Sequence, residues 1–192
     1  MAGLVSQKLL LAVAILFALT VICEVLELWL VRLFAAEHTI LDEVPTWTED
    51  TAAELFEAVG AKGRSGYVHF HHTWDLIYPV VYNSFVASLL VVGSGGNGYL
   101  AQWCYKLRYG PALTACADWS ENVAIDFLAD HYVPGQKQLS IACVVGSTST
   151  KVKFASLLVF LVLGSAGSVA RCYFTGSTGA NPEASNPEGP VE

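Results

Sequence analysis

The chain has 192 residues, of which 54% are hydrophobic and 14% charged, and a net charge of −7; its mean hydropathy is +0.48. A soluble domain carries about 25% charged residues, so the composition is that of a membrane protein of one domain, and the acidic balance excludes a nucleic-acid surface, which needs a basic face. The five cysteines are odd in number and form no C-x-x-C; they fit neither a disulfide framework nor a zinc site built on them and read as small apolar fillers.

The first apolar segment covers residues 9–33, long enough to cross about 30 Å of hydrocarbon at 1.5 Å per residue. A cleaved signal peptide is the rival reading, but its core usually has about 7–15 apolar residues, whereas this segment is longer and contains Glu24 and Glu27. Those two acids are three apart and share a helical face with Thr20 and Val31. Residues 37–66 are polar and acidic. Within them Asp50 or Thr51 can cap a helix, and Thr51-x-x-Glu54 has the form of a capping box. Ala52, Leu55, Phe56 and Val59 then make an apolar stripe and Gly60 suits the stop. This predicts a short amphipathic helix on the membrane surface or at the bundle mouth.

A second span is predicted over residues 67–92. His71, Asp75, Tyr78 and Tyr82 recur at helical steps on one face, and Pro79 within it predicts a kink. The run GSGGNG that follows is glycine-rich, but no strand precedes it, so it reads as a turn rather than a phosphate cradle. Residues 99–109 are aromatic and basic, an interfacial pattern. Pro111 opens a third span, 111–132, which carries Asp118, Glu121, Asn122 and Asp126. The first three fall on one helical face, with Asp126 at its edge. A polar stretch with a short apolar run, 141–145, leads to a fourth span, 152–174, in which Gly164, Ser165, Gly167 and Ser168 allow close helix packing. Residues 175–192 have the composition of a disordered tail.

The fold expected is therefore all-α: a multi-pass bundle of four membrane helices with both termini on one side. Each carboxylate costs roughly 2.5–3.5 kcal/mol to place at mid-bilayer, so the polar faces must point inward. Asp75, Tyr78, Tyr82, Asn122 and Lys153 are the expected lining, with Glu24 and Glu27 from the first helix. Four uses of such an interior stand open. It can be a structural polar core, the first reading. It can bind a lipid or other amphiphile. It can be an intramembrane enzyme on a lipid-like substrate, with Asp118 and Glu121 as acid and base. It can be a proton or ion relay, or the chain can be an accessory subunit of an oligomer or larger membrane complex. No cofactor is expected, and no metal: the di-iron bundle motif is Glu-x-x-His, which this chain lacks, and His71 and His72 read as interfacial residues at a helix entrance. Membrane lipid is the expected partner.

Gly63-Arg64, Tyr67, Asp75, Tyr78-Pro79 and Tyr82, then Ala117-Asp118-x-x-Glu121-Asn122, then Thr150-x-x-Lys153 follow an order that resembles a family of small four-helix integral membrane proteins found widely in bacteria. The resemblance covers about residues 46–164. It implies four spans and groups these polar residues together; it implies no reaction, because that family is uncharacterised. The chain departs from it in the aromatic and glycine-rich 93–110 loop and in a longer acidic tail.

Overall fold

A computed structural model describes residues 7–96, 98–135 and 140–177. The protein is all-α, with no strand among those residues, and its helices are α1 (Gln7–Ala35), α2 (Glu49–Ser94), α3 (Tyr99–Leu107), α4 (Pro111–Asp130) and α5 (Ser140–Ser177). A single 3-10 turn, Leu41–Glu43, sits in the link between α1 and α2. Three helices are long and apolar enough to cross a membrane: α1, α2 and α5, with mean hydropathies of 2.8, 1.8 and 1.9 in their most apolar stretches. Most of the tail expected to be disordered, from residue 178 on, lies outside the described residues.

The bundle has an apolar outside and a partly polar inside. On α2, Leu76, Ile77 and Val80 are exposed while His71, Asp75, Tyr82 and Asn83 are buried. On α4, Leu113, Val123 and Phe127 face out while Asp118, Glu121, Asn122 and Asp126 are buried. A water-soluble helix would have these faces exchanged. Helices α2, α4 and α5 pack closely on one another, whereas α1 packs along α2 and makes hardly any contact with α5.

Local chemistry explains the element boundaries. Helix α2 starts at Thr48, whose extended backbone and side-chain acceptance of the Thr51 N–H mark it as the cap. The start is earlier than the Thr51 capping box predicts, because Glu49 and Asp50 fill the first turn, where carboxylates meet the positive end of the helix dipole. Gly60 interrupts the helix with φ +65° and ψ −175°, a backbone region open essentially to glycine alone. The predicted amphipathic segment ends there. It buries Ala52, Leu55 and Phe56 in a core with Ile40, Leu41, Trp47, Ile125 and Leu128, so it closes the mouth of the bundle. Arg64 spans the break, donating to the Phe56 carbonyl at 2.9 Å while its guanidinium lies over the Tyr132 ring.

Helix α5 begins well before the predicted span. Ser147 and Thr150 interrupt the hydropathy but are buried on its inner face, so the apolar run 141–145 and residues 152–174 form one continuous helix. Its small residues pack within the bundle on α2: a Cβ on Gly167 would lie 3.1 Å from the Gly93 Cα, and Ser168 donates to the Leu89 carbonyl at 3.0 Å.

Pro79 decides how α4 docks on α2. Lacking an N–H, it leaves the Asp75 carbonyl one turn earlier without its helical donor. That carbonyl and its neighbour at Leu76 both receive donors from α4. Asn122 Nδ2 reaches the Asp75 carbonyl at 3.4 Å, and Trp119 Nε1 reaches that of Leu76 at 3.2 Å. Unsatisfied carbonyls cannot stand in hydrocarbon, so this contact fixes the register of the two helices. Asn122→Ala should cost about 1 kcal/mol when Pro79 is present. It should cost close to nothing in a Pro79→Ala background, where the helix supplies its own donor. A double-mutant cycle of unfolding in detergent measures this; equal costs in both backgrounds would refute it.

Candidate functional site

The polar groups meet in two linked clusters. The first is centred on Lys153 of α5. Its Nζ lies 2.6 Å from Glu121 Oε2 and 3.0 Å from Asp118 Oδ1, and it donates to the Asp42 backbone carbonyl at 3.3 Å. Tyr82 donates to the other Asp118 oxygen at 2.6 Å. Thr150 donates to Glu121 and in turn accepts from Trp47 Nε1 at 2.9 Å. Glu121 is fully buried, with 0% exposure. The i, i+3 spacing of Asp118 and Glu121 puts both on the face that meets α5, and the same spacing puts Thr150 and Lys153 opposite them.

The second cluster is centred on His71, 2% exposed. Its Nδ1 lies 2.5 Å from Asp126 Oδ1 and its Nε2 3.1 Å from Asp42 Oδ2. Tyr67 donates to the same Asp42 oxygen at 2.7 Å and accepts the Leu41 N–H at 3.0 Å, which seats the 3-10 turn on the bundle. His72, more exposed, reaches Asp126 Oδ2 at 3.0 Å. The reading of His71 as an interfacial residue is therefore corrected: it lies on the buried stripe with Asp75 and Tyr82. Burial opposes ionisation of Asp42, but the His71 charge and hydrogen bond, followed by Lys153 and Tyr67, outweigh it and hold the carboxyl at about 2. Neighbouring Glu43 moves the other way: burial raises it, with Asp42 and Glu24 adding to the effect.

Between the clusters lies a cavity of about 480 Å³. Glu24, Glu27, Asp42, Glu43, Asp75 and Asp118 contribute carboxylates to its wall, and Lys153 contributes the one ammonium. Glu121 is not part of the wall, so of the paired acids on α4 only Asp118 reaches the cavity. Tyr78 donates to Glu24 across the α1–α2 interface rather than to the α4 acids. Asp75 makes no side-chain hydrogen bond among the described residues and is 4% exposed. One oxygen each of Glu27 and Asp42 is buried with no hydrogen-bond partner.

The far end of the cavity is apolar. Phe85 and Val86 of α2 and Leu157 and Leu161 of α5 line it, and at 1.5 Å per residue Leu161 stands about 12 Å beyond Lys153 along the helix. The cavity follows the seam between α1 and α5, the two helices that scarcely touch.

Of the residues expected from sequence, Asp75, Tyr82, Asp118, Glu121, Asn122 and Lys153 come together at the α2–α4–α5 contact, while Glu24, Glu27 and Tyr78 form the α1 side of the cavity. Asp42, Trp47 and the buried role of His71 escape a pattern search, because the bonds that define them join residues 25–111 positions apart, and Tyr67 is marked by the resemblance alone. Removing the Lys153 charge leaves two buried carboxylates facing each other. Lys153→Met should destabilise the protein by about 3–5 kcal/mol, and adding Asp118→Asn should recover part of that loss. Thermal unfolding in detergent checks both; an unchanged midpoint in the single variant would contradict the ion-pair assignment. Comparison with protein-family models, with curated proteins and with solved structures finds no match to this chain.

Proposed function

We propose that the protein is an integral membrane protein that binds an amphiphile in the cavity between α1 and α5. The head group, bearing hydrogen-bond donors or positive charge, lies among Glu24, Glu27, Asp75 and Asp118, and the tail lies along Phe85, Leu157 and Leu161. The observation that carries this reading is the polarity gradient of the cavity: carboxylates at one end, apolar side chains at the other, beside a helix seam that protein contact does not close. Ligand sites are typically concave, mostly apolar and furnished with a few convergent polar groups. A purely structural network would instead leave no cavity and no orphaned carboxyl oxygen. The Lys153–Glu121–Thr150–Trp47 chain of bonds does support a structural role for that half of the cluster, away from the cavity wall.

The same reading makes α4 a fourth crossing. Its 20 residues rise about 30 Å, matching the hydrocarbon thickness. Its acids face protein, and its outer face carries Leu113, Val123 and Phe127. Of the motif residues that carry the resemblance to the four-helix membrane family, Asp75, Tyr82, Asp118, Glu121, Asn122, Thr150 and Lys153 lie at this contact, which supports the view that they belong to one site. Under this reading both termini are on one side of the membrane. Single cysteines introduced at Tyr109 and Gly135 should label from opposite sides with an impermeant maleimide, and labelling from one side only would remove α4 from the spans.

Native mass spectrometry of the protein, extracted with its membrane lipids, should reveal one retained amphiphile per chain. Leu157→Trp, which fills the apolar end, should reduce retention at least tenfold while leaving helicity intact. Absence of any retained or re-added amphiphile, or retention unchanged by Leu157→Trp, would overturn the proposal.

A further inference from the structure

Asp42, His71 and Asp75 each present one ligand atom, and these atoms all lie within 4.8 Å of one another. All three residues are buried. They come from three different places: the 3-10 turn, and two positions one helical turn apart on α2. Two features distinguish the set from a chance cluster of acids. The Asp75 carboxylate is more than nine-tenths buried and unpartnered, on the wall of the cavity, and Asp42 Oδ1 is buried without a partner. The imidazole is also held from behind. Asp126 Oδ1 stands 2.5 Å from Nδ1, which turns Nε2 towards Asp42, 3.1 Å away. Metal-bound histidines almost always use their second nitrogen in this way, on a carboxylate or carbonyl that fixes the ring. Tyr67, donating to Asp42 Oδ2, plays the same part for the carboxylate.

We propose that Asp42, His71 and Asp75 bind a first-row transition-metal dication of the zinc class. Ligands of one tetrahedral zinc, with bonds of about 2.0–2.1 Å, stand about 3.3 Å apart, so His71 Nε2 and Asp42 Oδ2, 3.1 Å apart, already fit once the cation takes the place of the Nε2 proton, and the ligand atoms of all three residues lie within 4.8 Å of one another. One imidazole with two carboxylates suits zinc, manganese, iron or cobalt, whereas magnesium and calcium take oxygen donors. Three protein ligands leave a fourth position open. Asp42 and Asp75 both line the cavity, so that position faces the space in which a head group would lie. The cation also offsets the excess of carboxylates over the single lysine. The site does not depend on an amphiphile being present.

The test uses the full chain without a polyhistidine tag, stripped with a chelator and titrated with Co²⁺, with Zn²⁺ as competitor. One Co²⁺ per chain should bind, with the visible absorption bands of a low-symmetry nitrogen–oxygen site, and Zn²⁺ but not Mg²⁺ should displace it. Asp75→Asn should weaken binding at least tenfold, and Asp126→Asn about 10–100-fold. Glu57→Gln, an exposed carboxylate of α2 away from the cavity, should leave binding unchanged. Should His71→Gln fail to fold, the Asp75 variant, checked for helicity by circular dichroism, still decides. No saturable Co²⁺ or Zn²⁺ binding to the native chain, or binding that survives Asp75→Asn, overturns the proposal. The titration is run with no amphiphile added, so its failure is separable from failure of the lipid-retention measurement.

Discussion

The ion pairs from Lys153 to Asp118 and Glu121 are the constraint on which the bundle rests. Two carboxylates on one face of α4 are tolerable in an apolar solvent only when something neutralises them. The ammonium that does so arrives from α5, and it also reaches the backbone of the 3-10 turn. One side chain therefore ties α4, α5 and the α1–α2 link together. Thr150, one turn before Lys153, adds the bond that joins Glu121 to Trp47. Hydrophobic burial cannot do this work in a bilayer, since lipid tails are as apolar as leucine. Specificity of packing must come from polar contacts and close backbone approach, and the bundle uses one at each end: acids and lysine towards the mouth, Gly93 against Gly167 towards the other.

Pro79 shows the same logic at the level of the backbone. A proline inside a spanning helix frees a carbonyl one turn earlier, and a soluble protein could leave it to water. Here Asn122 takes that carbonyl and Trp119 reaches the next one, so the defect in α2 becomes a recognition site for α4. The tyrosines on either side of the proline then diverge in role. Tyr78 turns to Glu24 on α1, and Tyr82 turns to Asp118 on α4. The turn around Pro79 thus distributes hydrogen bonds to both neighbours.

What could be read from the residues was whatever lies within one helix. The stripe of Asp118, Glu121 and Asn122, the stripe of His71, Asp75 and Tyr82, and the stop at Gly60 follow from helical period and glycine stereochemistry, which are local. The partnership of Asp42 with His71 is not local: the two are 29 residues apart, and Asp42 lies in a short turn with no periodicity to mark it as inward. His71 was also disguised by its neighbours, since His69 and His72 are exposed and only the register on α2 separates the buried ring from them. The early start of α5 was hidden for a different reason. Serine and threonine lower the hydropathy of residues 146–150, yet Ser147 and Thr150, three apart, share the buried face of the helix, where Thr150 supplies the donor to Glu121.

The loose attachment of α1 follows from the same distribution of polar groups. Among the described residues, Glu24 links it to the rest of the bundle by accepting from Tyr78, and Glu27 turns an unpartnered oxygen inward. It packs on α2 by rings such as Phe17 on Phe85 and Phe34 on Tyr67, and its acids Glu24 and Glu27 form no ion pair with a described residue of α5. In a bilayer, apolar side chains alone give a helix little reason to prefer protein over lipid, so the α1–α5 seam is the place where the bundle separates at least cost. That seam is also where the carboxylate-lined cavity lies. The ion pairs that lock α4 to α5 thus hold one wall of the cavity, while the α1 wall is held by ring packing and the Glu24–Tyr78 hydrogen bond.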